Sequence, residues 1–282
     1  MMGWWQALLL GIVQGLTEFL PVSSSGHLMI FKELLGVDAE GFLDFTVTVH
    51  FATVLSTLVV FWSVIKRLLK GFFAFRYNDE TDYVCKILFS MIPVALVGFL
   101  LKDKVEALFG NTLSTVAVCL LITAVLLVLS DILGKKAPAP ASEEDPQPVA
   151  GKSRRNGISY GQAFLVGIAQ ALAVAPGLSR SGTTISTGLI SGVRREVMAQ
   201  FSFLMVLIPI LGEQCLDILK AVVGSEPMGE GVGFAALAIG FVGAFLAGLF
   251  ACKAMIALVR KAKLSWFALY CALVAVLIFI FA

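Results

Sequence analysis

The chain has 282 residues, of which 59% are hydrophobic and 14% charged, with a net charge of +2 and a mean hydropathy of +0.93. Soluble domains carry about 25% charged residues, so a soluble globule and a disordered segment are excluded. A basic nucleic-acid binder is excluded too. Lipid is the expected solvent, and the expected class is an all-α polytopic membrane protein.

The first apolar region, 3–35, is broken in its middle by Leu20-Pro21-Val22-Ser23-Ser24-Ser25-Gly26. Pro interrupts the backbone ladder and leaves pieces too short to span, so this region reads as a re-entrant helix-loop-helix hairpin. It has no Lys or Arg before Lys32 and contains Gln14 and Glu18, which does not fit a removable signal peptide. Trp4 and Trp5 look like an interface anchor. Three spans of about the required length follow, at 42–64, 84–101 and 113–133. The hydrophilic stretch 134–157 is a tether on the cytoplasmic side. A second broken region, 159–193, is interrupted by Ala175-Pro176-Gly177-Leu178-Ser179-Arg180-Ser181-Gly182. Spans at 197–219, 231–255 and 264–282 complete the chain, giving six transmembrane helices and two re-entrant hairpins. Cys85, Cys119, Cys215, Cys252 and Cys271 lie in or beside apolar runs and read as small buried hydrophobes.

A shift of 156 residues lays the second hairpin on the first. Gln6-Ala7 falls on Gln162-Ala163, Gly11-Ile12 on Gly167-Ile168, Gln14 on Gln170, Ser23 on Ser179 and Ser25-Gly26 on Ser181-Gly182. The expected organisation is therefore a first repeat, 1–133, and a second, 158–282, in one integral membrane domain. Each repeat holds one hairpin and three spans. Three is odd, so the second repeat is inverted relative to the first, which places a site near the midplane where they meet. Charge supports re-entry. With re-entrant hairpins, one face collects fourteen of the 21 Lys and Arg residues and the other only Lys32, Lys102, Lys104 and Lys220. The basic face is expected in the cytoplasm, with both termini outside.

Gln14 and Glu18 are four apart and share a helical face. A carboxylate inside a membrane segment marks a functional site, and Ser23, Ser24, Ser25 and His27 follow within a few residues. His27 is expected over the same side as Glu18. The set resembles a nucleophile with candidate bases. The second hairpin offers Ser179, Arg180, Ser181, Thr183 and Thr184. Arg180 stands in the place of Ser24 and Val174 in the place of Glu18, so one copy supplies acid, hydroxyl and imidazole and the other a fixed cation. Arginine and two helix starts favour a phosphate. His50 reads as helix–helix hydrogen bonding, and Glu213 and Asp217 as span-end charges or an entrance rim.

Gln14-x-x-x-Glu18 with Pro21-Val-Ser-Ser-Ser-Gly-His27, together with Pro176-Gly-Leu-Ser-Arg-Ser-Gly-Thr-Thr184, resembles the undecaprenyl-pyrophosphate phosphatases of the bacitracin-resistance type, over essentially the whole chain. The resemblance implies a bacterial inner-membrane enzyme whose site faces outward. It would remove the terminal phosphate of a C55 isoprenyl diphosphate and recycle the lipid carrier for peptidoglycan. It implies Glu18, Ser24, His27 and Arg180 as catalytic residues. Gln14, Ser23, Ser25, Ser179, Ser181, Thr183 and Thr184 would hold the phosphates. It also implies a divalent cation, Mg2+ or Ca2+, with Glu18 as candidate ligand. With Gln14 rather than Glu the site has one carboxylate, which favours a cation bound mainly through the diphosphate. The nucleophile remains open between Ser24, His27 and water. The expected partners are the C55 lipid, the bilayer and a second copy in a homodimer, with no nucleic acid. The rival class is an inverted-repeat transporter or lipid flippase.

Overall fold

Backbone groups inside a bilayer have no water to bond, so each segment must satisfy its own, and helix is the solution adopted here. The computed structural model describes residues 2–38, 41–100, 112–134, 155–175, 177–223 and 232–281, and among these there is no strand. The helices are α1 (Trp4–Phe19), α2 (Ser24–Leu34), α3 (Phe42–Val60), α4 (Trp62–Phe72), α5 (Asp79–Leu100) and α6 (Leu113–Leu133), followed by α7 (Tyr160–Leu172), α8 (Arg180–Ile190), α9 (Arg195–Val223), α10 (Phe234–Lys261) and α11 (Ser265–Phe281). Five contain a stretch long and apolar enough to cross a membrane: Phe42–Val60, Asp79–Gly98, Leu113–Leu133, Arg195–Gly212 and Phe234–Val259. The last helix is equally greasy but has 17 residues. The protein is thus an all-helical, multi-pass membrane protein. On α6, Val118, Val125 and Ile132 are exposed at seven-residue spacing, while Leu120, Thr123 and Leu127 are buried. Apolar residues pointing outward on a helix whose hydroxyl faces inward are the pattern of a lipid solvent.

The first full span is shorter than expected. Helix α3 stops at Val60, and after Phe61 the chain restarts as α4. Lys66, Arg67 and Lys70 are exposed on α4 while Leu68 is buried. These cations cannot lie in hydrocarbon, so the chain turns onto a separate amphipathic helix. The tether falls largely outside the described residues, as do Lys102, Lys104, Pro176 and the side chains of Glu213 and Asp217.

Both broken regions are helix–break–helix units, and one glutamine closes each. Gly3 N–H donates to Gln6 Oε1 (2.7 Å), and Gln6 Nε2 donates to the Leu35 carbonyl (2.9 Å). In the second unit Ser159 N–H donates to Gln162 Oε1 (3.0 Å), and Gln162 Nε2 to the Ser191 carbonyl (2.9 Å). The start of each hairpin is thereby bonded to its end. Helix α1 stops because Leu20, preceding Pro21, is extended (φ −73°, ψ 146°), as the proline ring requires. Helices α2 and α8 begin on serine caps: Ser23 Oγ accepts from Gly26 N–H (3.3 Å) and Ser179 Oγ from Gly182 N–H (3.1 Å), the ordinary device for an orphan helical donor.

The hairpins pack across the molecule: α1 lies on α10 and α7 on α5, while α6 and α11 lie on each other. Glycine permits both crossings. A Cβ on Gly11 would run into the Gly240 carbonyl, and one on Gly167 into that of Ser90. Close approach through small residues is how helices associate without a hydrophobic drive. At the other end of these helices Asp131 accepts from Arg195 Nη2 (2.6 Å) and from Ser265 N–H (2.8 Å) and Oγ (2.7 Å). One carboxylate thus ties α6 to α9 and caps the start of α11.

Candidate active site

The last turn of α1 and the first of α2 face each other across a short break, and this brings Glu18 to Ser24. Ser24 Oγ donates to Glu18 Oε2 at 2.6 Å, and Gln14 Nε2, one turn earlier on α1, donates to the same oxygen at 2.8 Å. Arg180, the first residue of α8, donates from Nη2 to Glu18 Oε1 at 3.2 Å. The Glu18 side chain is 8% exposed and that of Arg180 29%. A carboxylate so buried has to be held by donors, and here two neutral ones and a guanidinium surround it. The structure therefore brings Gln14, Glu18, Ser24 and Arg180 into one constellation from two hairpins 156 residues apart.

The breaks are also stapled to each other. Gly177 N–H donates to Ser25 Oγ (3.4 Å), and Ser181 Oγ donates to the Leu20 carbonyl (3.1 Å). Ser179 N–H donates to Thr123 Oγ1 (3.3 Å). Helices α2 and α8 thus start side by side, and their N-terminal dipole ends favour an anion there. Ser23 and Ser179 serve as caps, with their hydroxyls 3.4 Å from those of Ser25 and Ser181 respectively. Thr184 Oγ1 donates to the Arg180 carbonyl (2.8 Å) and lies 2.6 Å from Ser202 Oγ. Thr183 Oγ1 and Gln14 Oε1 are buried without a hydrogen-bond partner among the described residues.

The two imidazoles are placed differently from the reading of the sequence. His27 is buried and lies in a separate set of bonds. Its Nδ1 donates to the Ser23 carbonyl (2.8 Å), and its Nε2 accepts from the Tyr270 hydroxyl (2.7 Å). A carbonyl only accepts, so Nδ1 carries a proton; in the neutral ring Nε2 then holds the lone pair that accepts from Tyr270. The ring folds back onto the cap of its own helix instead of reaching Glu18. His50, assigned from the sequence to helix–helix bonding, stands with Nε2 3.7 Å from Glu18 Oε2. Its Nδ1 donates to the Thr46 carbonyl (2.9 Å) within α3. The rule that singled out Glu18, an ionisable group within a membrane segment, points equally to His50. Neither Tyr270 nor His50 belongs to a motif in the hairpins.

Glu18 does not offer itself to a cation in this arrangement, because each of its oxygens already faces a donor, one of them a guanidinium. Among the described residues no group of three or more His, Cys, Asp or Glu is placed to hold a metal. The donor set does not make an all-protein Mg2+ or Ca2+ site, which calls for several oxygens.

Two broken hairpins that meet on a serine, a buried carboxylate and an arginine place a candidate reactive centre inside a multi-pass membrane protein. Residues 7–277 match the family described as Bacitracin resistance protein BacA, and the chain belongs to that family. Curated relatives carry the name undecaprenyl-diphosphatase. The protein from Parabacteroides distasonis is 50% identical over 96% of both chains. That from Bacteroides thetaiotaomicron is 48% identical over 99% of both. A more distant relative, from Halothermothrix orenii, is 35% identical over 98% of this chain and 97% of its own.

Proposed function

We propose that the protein hydrolyses undecaprenyl diphosphate to undecaprenyl phosphate and inorganic phosphate, recycling the lipid carrier for peptidoglycan synthesis and conferring bacitracin resistance. One observation carries the reading: Ser24 Oγ, the hydroxyl of a helix-starting residue, bonds Glu18 on one oxygen while Arg180 holds the other. Nucleophile, base and fixed cation share one centre at two helix N-termini.

Ser24 Oγ attacks the terminal phosphorus and passes its proton to Glu18. The new Oγ–P bond replaces the bond to the bridging oxygen, which leaves with undecaprenyl phosphate. Glu18 hands the serine proton to the departing bridging oxygen. It then deprotonates a water that attacks the phosphoserine, and as the Oγ–P bond breaks it returns the proton to Ser24 and phosphate leaves. Arg180, the more exposed partner of its pair, turns from Glu18 to the equatorial oxygens, where its fork stabilises transition-state charge together with the N–H groups of α2 and α8. Thr183 and Gln14 supply the buried polar atoms still open to a ligand. A divalent cation, Mg2+ or Ca2+, would be held chiefly by the diphosphate oxygens, with Glu18 as the chain's candidate ligand, and would supply counter-charge to them. The apolar tail lies among the spans.

The architecture belonging to this reading is an inverted repeat, 1–133 and 158–282, with six spans and two re-entrant hairpins in the bacterial inner membrane. The glutamine bonds that tie each hairpin's start to its end support re-entry, as does the bias of Lys and Arg to one face. Both termini and the site then face outward. A second copy in a homodimer is compatible with this topology.

The test is phosphate release from C55 diphosphate by purified protein in detergent, with and without EDTA. Release that stops with EDTA and returns with Mg2+ or Ca2+ is the expected result; no release from the untreated protein would refute the activity. A reporter fused to the C-terminus that reads cytoplasmic would refute the topology.

A further inference from the structure

Ser23 is one of three non-glycine residues with positive φ among the described ones (φ 69°, ψ 97°). L-residues avoid that region, and one that sits there persists only when its surroundings over-determine it. Its peptide carbonyl is bonded directly to the nitrogen of Ser24, so whatever fixes the Ser23 peptide fixes the origin of the Ser24 side chain. The Ser23 carbonyl accepts from the His27 ring at Nδ1 (2.8 Å) and from the His27 backbone N–H (3.2 Å). The ring in turn is held at Nε2 by Tyr270, 243 residues away on α11 (2.7 Å). The two rings are nearly parallel, 9° apart, with centroids 5.6 Å apart. The next residue touches the same break independently: Cys271 Sγ donates to the Pro21 carbonyl at 3.7 Å.

We propose that Tyr270 is a positioning residue for the reaction: through His27 it holds the strained Ser23 turn, and so keeps Ser24 Oγ on Glu18. Its hydroxyl donates to Nε2, which commits the ring proton to Nδ1 and aims it at the Ser23 carbonyl. The last helix, which contributes no residue to the Glu18 constellation, thereby decides where the nucleophile stands. In this scheme His27 acts through geometry, since both its nitrogens are engaged away from Glu18.

The proposal rests on the phosphatase reading, and its test separates the two. Tyr270→Phe keeps the ring and removes the hydroxyl. Its kcat for phosphate release is expected to fall about 10- to 100-fold, the usual cost of a small misplacement of a reacting group. KM should stay within about twofold, because binding is untouched. The second measurement is the 15N spectrum of histidine-labelled full-length protein. The chain has only two histidines, and His50→Gln assigns them. In the unchanged protein His27 should show a protonated Nδ1 and a hydrogen-bonded Nε2; in Tyr270→Phe the Nε2 resonance should move to the position of an unbonded ring nitrogen. An unchanged kcat, or a raised KM with kcat intact, would overturn the positioning role, and an unmoved Nε2 resonance would overturn the bond. If the unsubstituted protein releases no phosphate, the reading and the positioning role fall together, while the spectrum still reports on the Tyr270–His27 bond.

Discussion

The two hairpins are the same object used for different ends. At their mouths the bonds repeat at a spacing of 156: Gln6 with Gly3 and Leu35, Gln162 with Ser159 and Ser191. At their breaks the serine caps repeat as well, Ser23 with Gly26 and Ser179 with Gly182. Between mouth and cap the copies part. The first carries Glu18 and His27 where the second carries Val174 and Thr183, and the second puts Arg180 where the first puts Ser24. What closes and caps the hairpins is duplicated, and the residues proposed for the chemistry are divided between them. A carboxylate and a guanidinium on the same hairpin would neutralise each other locally; on facing hairpins they meet only when both are docked. A buried pair of this kind adds little net stability, so its value lies in assembling the site.

This comparison can be broken by substituting matched positions and measuring phosphate release. The largest effect is expected at the divided positions: Ser24→Ala or Glu18→Gln should lower kcat by about a thousandfold or more, since nucleophile and base act as a unit. Val174→Ala, at the matching place, should leave kcat within about twofold; a large loss there would mean that the position matching Glu18 also carries chemistry. Next comes Arg180→Ala, with a loss of about 100- to 1,000-fold from removal of a transition-state donor. Arg180→Lys should recover only part of it, because a point charge lacks the fork.

The glutamines sharpen the contrast at smaller scale. Gln14 donates to Glu18, whereas both amide atoms of Gln170 are buried without a partner among the described residues. Gln14→Leu should reduce kcat about tenfold, an interaction of about 1.4 kcal/mol. Gln170→Leu should leave kcat alone and raise the melting temperature, since an unpaired buried polar group costs about 1–3 kcal/mol. Equal and small effects are expected last, from Gln6→Ala and Gln162→Ala. Each loses about 1 kcal/mol of stability, read as thermal denaturation in detergent, with kcat little changed. Unequal losses would show that the two closures do not bear the same load.

Much of the plan was legible because it is local. Proline after Leu20, a serine three residues before Gly26 and another three before Gly182 dictate where helices stop and restart, whatever surrounds them. The likeness of the two hairpins was legible because Gln, Gly and Ser recur in register, which apolar composition alone does not produce. Helix α4 was missed because a hydropathy window runs apolar α3 into Trp62, Val64 and Ile65 and hides the turn at Phe61. His50 was missed for another reason: it shares its span with Thr46, Thr48 and Thr53, which bond within their own helix, and only its ionisable ring sets it apart from them.

By itself the sequence determined that this chain lives in lipid, where its hairpins break, and which side chains are too costly in hydrocarbon to be idle. Burial cost and backbone sterics act residue by residue and can be read in order. Which of those side chains meet was decided by tertiary structure. The pairs Glu18–Arg180 and His27–Tyr270 are 162 and 243 residues apart. Such contacts depend on how helices cross and rotate against one another, and here that is set by the close passage of Gly11 over Gly240 and Gly167 over Ser90. The same packing separates the two histidines, leaving one beside the carboxylate and the other holding the turn beneath the serine.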